Sequence, residues 1–114
     1  MGQERRALGD YGERRAAAWY EQRGYQVLAR QWRCRQGELD LVLRRGGLVV
    51  FCEVKARSGP SFGTPAEAVT PAKQARIRRL AALWLAEARA GAAELRFDVA
   101  CVTGGRIAVL EAAF

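Results

Sequence analysis

The stretch GELDLVLRRGGLVVFCEVKAR, residues 37–57, decides the fold of this 114-residue chain. Two runs rich in Leu, Val and Phe, residues 38–43 and 48–55, flank the dipeptide Gly46-Gly47. A Gly-Gly pair between apolar runs is typical of a tight β-hairpin, because glycine adopts the positive φ angles that such a turn requires. The sequence therefore predicts an antiparallel hairpin in the middle of the chain.

The segment before the hairpin is predicted to contain one helix and one short strand. Residues 7–23 place apolar side chains three and four positions apart and stop before Gly24, a pattern that indicates a helix with a glycine cap. Residues 25–29 are predicted to form a short strand. Residues 32–37 are interpreted as an arginine-rich loop, in which Trp32 either stacks on an unpaired base or belongs to the core.

The segment after the hairpin is predicted to hold a second helix and a second hairpin. Glycines and prolines in residues 59–65 indicate a loop. Thr70 followed by Pro71 is typical of a helix start, and this helix is predicted to run to about residue 89. Gly104-Gly105 then separates two further strands, residues 95–102 and 106–110. The predicted order is α-β-β-β-α-β-β, a single α/β domain of residues 1–114 with a mixed central sheet.

The register of the first hairpin predicts a chemical site. With a two-residue turn, Asp40 lies opposite Glu53 and Glu38 lies opposite Lys55, all on one face of the sheet. Facing residues have Cβ atoms about 4.5–5.5 Å apart, and two ionised carboxylates at that distance repel each other. A divalent cation relieves the repulsion, and oxygen ligands in a chain without histidine select Mg²⁺ or Mn²⁺. A three-residue turn would break this pairing.

Two further observations weigh on this site. The alternative is a hairpin whose acidic residues merely face solvent, but the neighbouring residues are too apolar for a wholly solvated hairpin. Of the 19 basic residues, 17 are arginine, and the two lysines are Lys55 and Lys73. A lysine beside the carboxylate pair suits an acid–base or charge-stabilising role, because its pKa shifts more readily than that of arginine.

Composition narrows the classes of function. With no histidine, the chain cannot build a Ser-His-Asp or Cys-His triad or a histidine metal site. The net charge of +7 favours a polyanionic partner, nucleic acid before membrane. No apolar stretch approaches 18 residues and no apolar signal core follows the first residues, so we expect neither membrane insertion nor secretion. Three cysteines without a CxxC pair suit a reducing compartment, and the expected location is the cytoplasm.

Four segments in order carry a family resemblance. They are GDYGE at residues 9–13, GELDLV at residues 37–42, FCEVKAR at residues 51–57 and RFDV at residues 96–99. Together they resemble the bacterial YraN family, and Asp40 with Glu53-Val54-Lys55 resembles the D…(D/E)xK signature of restriction-endonuclease-like nucleases. The family is grouped by fold with archaeal Holliday junction resolvases and RecB-like nucleases. The resemblance implies a restriction-endonuclease-like fold and a metal-dependent phosphodiesterase.

The resemblance also implies roles for particular residues. Asp40 and Glu53 correspond to metal ligands, Glu13 corresponds to a further ligand from the first helix, and Lys55 stands beside the attacking water. Lys73 matches a helix position that often carries a second Lys or Gln. Asp98, in the middle of an apolar strand, is interpreted as a structural carboxylate outside the site.

Two functions remain open at this stage. The first is a divalent-metal endonuclease that hydrolyses DNA phosphodiester bonds at branched or non-duplex structures, with RNA as a less favoured substrate. The second is a nucleic-acid-binding accessory protein on a nuclease-like scaffold. A cutter of symmetric junctions needs two active sites, so a homodimer is a further expectation. The residues expected to contact nucleic acid are Arg57, Lys73 and Arg76 near the site, together with Arg30, Arg33 and Arg35.

Overall fold

The computed structural model describes residues 2–57 and 69–114, with side chains from residue 6 onward. The predicted loop at residues 59–65 lies outside this part of the chain. The elements are α1 (Gly2–Glu21), β1 (Gln26–Cys34), β2 (Gly37–Arg45), β3 (Leu48–Arg57), α2 (Pro71–Ala88), β4 (Glu94–Thr103) and β5 (Arg106–Leu110). The predicted order α-β-β-β-α-β-β is confirmed.

The five strands form one mixed sheet in the order β1-β2-β3-β4-β5. Neighbouring strands are antiparallel except β3 and β4, which are parallel. A parallel pair needs a crossover connection, and α2 lies between these two strands in the chain. The sheet is therefore a three-stranded antiparallel meander, β1–β2–β3, and a hairpin, β4–β5, joined through α2.

The two helices cover opposite faces of the sheet. Ala16 and Tyr20 of α1 are buried in one apolar cluster, and Leu80 and Trp84 of α2 are buried in another. β3 serves both clusters, because its successive residues point to opposite faces: Val50 and Cys52 lie under α1, while Val49 and Phe51 lie under α2. Burial on both faces explains the continuous apolar run of this strand. Within the described ranges, no helix is long and apolar enough to cross a bilayer.

The predicted helix start at Thr70 is confirmed. The Thr70 hydroxyl accepts a hydrogen bond from the Lys73 main-chain N–H at 3.2 Å, and Pro71 occupies the first turn. Proline is tolerated there because the first turn has no intrahelical partner for its missing N–H. This cap places the side chain of Lys73 at the end of α2 that faces the predicted site.

The predicted arginine-rich loop at residues 32–37 is wrong, because β1 continues to Cys34 and only a short turn separates it from β2. The register of β1 against β2 shifts between Val27 and Ala29, and Gln31 has a left-handed φ of 48°. Both irregularities break the alternation of side chains by which a strand is recognised in a sequence. Trp32 pairs with Leu39 and packs against the cluster under α2, so it belongs to the core side of the sheet.

Candidate functional site

β2 and β3 separate where the predicted site begins. Their pairing runs in the predicted register from Arg45–Leu48 to Leu41–Cys52 and ends there. Beyond this point, Asp40 Oδ2 accepts a hydrogen bond of 2.8 Å from the main-chain N–H of Val54. The carboxylate thus takes the place of a main-chain acceptor, because this part of β2 remains paired with β1 but is no longer paired with β3. We call this divergence, with Asp40 on β2 and Glu53, Val54 and Lys55 on β3, the fork.

The predicted pairing of Glu38 with Lys55 does not form, because Glu38 lies on the part of β2 that has left β3. Glu38 instead forms an ion pair with Arg33 of β1 at 2.9 Å. Their side chains are 48 % and 74 % exposed, so this pair contributes little to stability. Lys55 therefore interacts with Glu53 on β3 and with Lys73 on α2.

The carboxyl groups of Asp40 and Glu53 meet at the fork. Burial, a hydrogen bond to Glu53 and the charge of Glu53 raise the pKa of Asp40 to about 9. Burial also opposes ionisation of Glu53, but hydrogen bonds from Asp40 and Lys73 outweigh it, so the pKa of Glu53 lies below its ordinary value. Near neutral pH the pair therefore holds one proton, on Asp40, because two buried carboxylates in contact cannot both ionise without a cation.

Both lysines of the chain lie next to Glu53. Lys73 Nζ is 2.8 Å from Glu53 Oε2, and these side chains are 27 % and 13 % exposed. Burial lowers the pKa of Lys73, but the hydrogen bond and the charge of Glu53 more than compensate, so the pKa is raised. The pKa of Lys55 is lowered, first by burial and then by the neighbouring Lys73. The fork therefore combines two carboxylates with two ammonium groups of unequal basicity.

An open cleft of about 450 Å³ lies between α1 and the fork. Its charged lining residues are Glu13, Glu38, Asp40, Lys55 and Arg57. Close packing of α1 explains why Glu13 reaches this cleft. A Cβ atom on Gly12 would lie only 2.8 Å from the Cβ of Ala56 on β3, so the absence of a side chain lets the helix approach the strand.

Gln31 of β1 holds this part of α1, and sequence reasoning missed it. Its Nε2 atom donates to Asp10 Oδ1 at 2.9 Å, and its side chain also hydrogen-bonds Glu13. The pKa of Glu13 is raised by burial, although the bond to Gln31 acts in the opposite direction. The backbone of Gln31 is left-handed, and no periodic pattern in the sequence predicts this conformation.

The predicted three-carboxylate ligand set is assembled only in part. Asp40 and Glu53 are in contact, whereas Glu13 lines the same cleft without joining them in a close group. In the part of the chain that the structure describes, no three Asp, Glu or Cys side chains stand close enough together to hold a metal ion. Two carboxylates that repel each other are nevertheless a donor set that suits a hard divalent cation.

The arginines predicted to contact nucleic acid occupy two places. Arg57 is exposed at the end of β3, on the rim of the cleft. Arg76 is exposed on α2, and its Cδ lies 3.9 Å from where a Cβ on Gly37 would stand, so it lies against the β1–β2 turn. The remaining set lies on β1 and in that turn, all exposed: Arg30, Arg33 and Arg35. The two predicted groups of arginines therefore adjoin at this turn.

Comparison with known proteins assigns the chain to a family. The model of Uncharacterised protein family UPF0102 matches residues 12–102. A UPF0102 protein of Beutenbergia cavernae is 58% identical over 96 residues, which cover 84% of this chain and 81% of the relative. A UPF0102 protein of Frankia alni is 57% identical over 97 residues, 85% of this chain and 81% of the relative. The predicted YraN resemblance is thereby confirmed, and this chain belongs to the UPF0102 (YraN) family.

Proposed function

We propose that this protein is a divalent-metal-dependent nuclease that hydrolyses DNA phosphodiester bonds. The observation that carries the proposal is the fork itself, where Asp40 and Glu53 share one proton in contact with Lys73 and beside Lys55. Each of these groups is partly withdrawn from water, and Asp40 and Lys55 line the open cleft. Titratable groups in a cleft whose pKa values are shifted by burial and by specific charged partners are typical of functional sites.

The residues of the fork suit Mg²⁺ or Mn²⁺. Asp40 and Glu53 would supply two carboxylate ligands, and Glu13 would approach from α1 across the cleft. When bound, the cation would act as a Lewis acid that neutralises charge on a phosphoryl oxygen. The proton on Asp40 would be displaced by the cation, because a positive charge favours both ionised carboxylates.

The protein's own groups have separate tasks in this proposal. The Val54 N–H orients the Asp40 carboxylate, and Lys73 orients that of Glu53. Lys55, whose pKa is lowered, is the group placed to stabilise negative charge on the phosphate and to hold the attacking water. Arg57, on the rim, binds a neighbouring phosphate.

The second candidate function is the binding of nucleic acid without cleavage. Paired carboxylates facing a polyanion weaken binding unless a cation neutralises them. The net charge of +7 supports attraction of DNA to the molecule as a whole. Because the acidic pair stands among basic groups at the cleft, the fork favours cleavage over binding alone.

Metal titration tests the first half of the proposal. Native protein titrated with Mn²⁺ should show one site, and Glu53→Gln should largely remove it, because the substitution keeps the shape of the side chain but removes its charge. Glu87→Gln makes the same change at an exposed residue near the far end of α2 and serves as the control that retains the site. Equal affinity in the native protein and Glu53→Gln would contradict the ligand assignment.

Incubation with nucleic acids tests the second half. Linear, single-stranded, flapped and four-way DNA, with RNA alongside, should be offered to the native protein with Mg²⁺ or Mn²⁺. Cleavage of DNA that Asp40→Asn abolishes supports the nuclease and excludes a contaminating enzyme. Binding without cleavage in every arm would identify the accessory binding protein instead.

A further inference from the structure

Part of the α2 face of the sheet keeps exposed surface. Val50, Ala100 and Val109 pack into the cluster under α1, so alternate residues of β3, β4 and β5 point to the opposite face. The pairing of the three strands aligns these residues in rows across the sheet. Two adjacent rows, beyond the row of Glu53, form what we call the basic strip: Lys55, Cys101 and Ala108, then Arg57, Thr103 and Arg106.

The basic strip has the chemical character of an anion-binding surface. Arg57, Arg106 and Ala108 are exposed, and the other three residues are partly exposed. Three of the six side chains are cationic, and none is acidic. The residues between the cations are small, so a ligand can lie close to the sheet. Since the first row begins at Lys55, the basic strip starts at the fork and leads away from it.

The far end of the basic strip is held in place by α1. The hydroxyl of Tyr11 donates to the carbonyl of Gly104 at 3.1 Å, and Arg15 donates to the carbonyl of Gly105 at 2.8 Å. These two glycines form the turn that precedes Arg106. The helix that carries Glu13 to the cleft therefore also fixes the position of Arg106 relative to the fork.

We infer that the basic strip binds the backbone of the DNA strand as it leaves the fork. This inference rests on the proposed function for its occupant. Arg57 and Arg106 are separated by two strand spacings, about 10 Å in all. Successive phosphates of one DNA strand are at least about 3.4 Å apart, so two arginines at this spacing can contact two different phosphates of the same strand. A fixed pair of cations at this spacing orients a strand as well as attracting it.

The test measures how DNA affinity depends on salt, in EDTA so that nothing is cut. Arg106→Gln should reduce the slope of log affinity against log salt by about one unit, because one phosphate contact is lost. The matched control is Arg89→Gln, which removes the same charge from the exposed C-cap residue of α2, 16 positions after Lys73 and about 24 Å away along the helix. Ala108→Glu, which adds a negative charge to the basic strip, should weaken binding further.

A thiol footprint gives a second measurement in the same complex. In Cys34→Ser, Cys101 is the remaining cysteine with exposed surface, since Cys52 is 2 % exposed. Bound DNA should slow the reaction of Cys101 with a maleimide several-fold. An unchanged salt slope in Arg106→Gln together with unprotected Cys101 would overturn the inference while native DNA binding and Mn²⁺ binding persist. Failure of the native protein to bind DNA in any arm would instead overturn the proposed function.

Discussion

Asp98 and Asp40 are two carboxylates withdrawn from water in the same sheet, and their surroundings differ. Asp98, on β4, is fully buried and accepts hydrogen bonds from the Tyr20 hydroxyl at 2.6 Å and the Ala112 N–H at 3.0 Å. Both Nε and a terminal nitrogen of Arg96 lie 2.9 Å from its oxygens. Every oxygen of this carboxylate is thus satisfied, and a cation of the protein neutralises it.

Asp40 receives one main-chain hydrogen bond and faces a second carboxylate. The cation at this place, Lys73, contacts Glu53. The pKa of Asp40 is raised to about 9, so this residue keeps a proton at a pH where an ordinary aspartate is ionised. The difference between the two sites teaches that burial alone does not mark a functional carboxylate. A buried carboxylate with a complete set of donors stabilises the fold, whereas a carboxylate that keeps a proton because it faces a second carboxylate is poised to bind a cation.

The largest effect should follow from Asp98→Asn. Removing one partner of a buried ion pair leaves Arg96, whose side chain is 16 % exposed, without its main counter-charge. We expect the free energy of unfolding to fall by about 3–5 kcal/mol in urea denaturation. Glu111→Gln is the control, because Glu111 is half exposed and 3.5 Å from the same arginine, and it should cost under about 1 kcal/mol. Equal costs would mean that Asp98 is not the structural partner.

Lys55→Ala should show the opposite behaviour, with a large effect on turnover and a small one on stability. Loss of one electrostatic stabiliser lowers turnover by about 10²-fold or more. Mn²⁺ affinity should persist or rise, since a neighbouring positive charge has been removed. Cleavage kinetics, Mn²⁺ titration and urea denaturation measure the three quantities.

Lys55→Arg sharpens this prediction, because it keeps the charge but replaces the compact ammonium by a planar group. Native turnover in Lys55→Arg would show that the lysine only balances the charge of Glu53. Unfolding of Lys55→Ala would assign it a structural role, like that of Arg96.

Metal-free protein should lose stability as the pH rises, because of Asp40. Its folded pKa of about 9 lies above the unfolded value, so the folded state binds more protons between about pH 4 and pH 9. The contribution is therefore greatest at the acid end of this window and is lost towards pH 9. Between pH 6 and pH 8 we expect a loss of about 2–3 kcal/mol that Asp40→Asn removes. Identical pH profiles in urea denaturation for both proteins would contradict the raised pKa.

The smallest effect compares two glycines of α1. Gly12→Ala places a Cβ 2.8 Å from that of Ala56, whereas Gly9→Ala meets nothing within 4 Å. Overpacking costs about 1–3 kcal/mol, and alanine adds up to about 1 kcal/mol to an exposed helix. Thermal melting should therefore show Gly12→Ala about 1 kcal/mol less stable than native and Gly9→Ala slightly more stable. A gain in both variants would show that α1 does not need this close approach.

Much of the fold was predictable because its signals are local. The Gly46-Gly47 turn, the apolar runs around it and the Thr70-Pro71 start of α2 each act within a few residues, and all are confirmed. β1 was predicted too short, because a register shift and the left-handed Gln31 hide its alternation. The proximity of Asp40 and Glu53 was predictable from the hairpin register, although the β2–β3 pairing ends one position before them, at Leu41 and Cys52.

The sequence by itself determined the order of elements, the register of the central hairpin and the opposed carboxylates at its end. Only the tertiary structure decided that β2 leaves β3 at Asp40, that Lys73 reaches Glu53 from α2, and that Gln31 holds Glu13. The physical reason is the range of the forces. Turns, caps and strand alternation are set by backbone conformations of neighbouring residues. Contacts between α1, α2 and the fork join residues far apart in the chain, and they form only when both helices pack on the sheet.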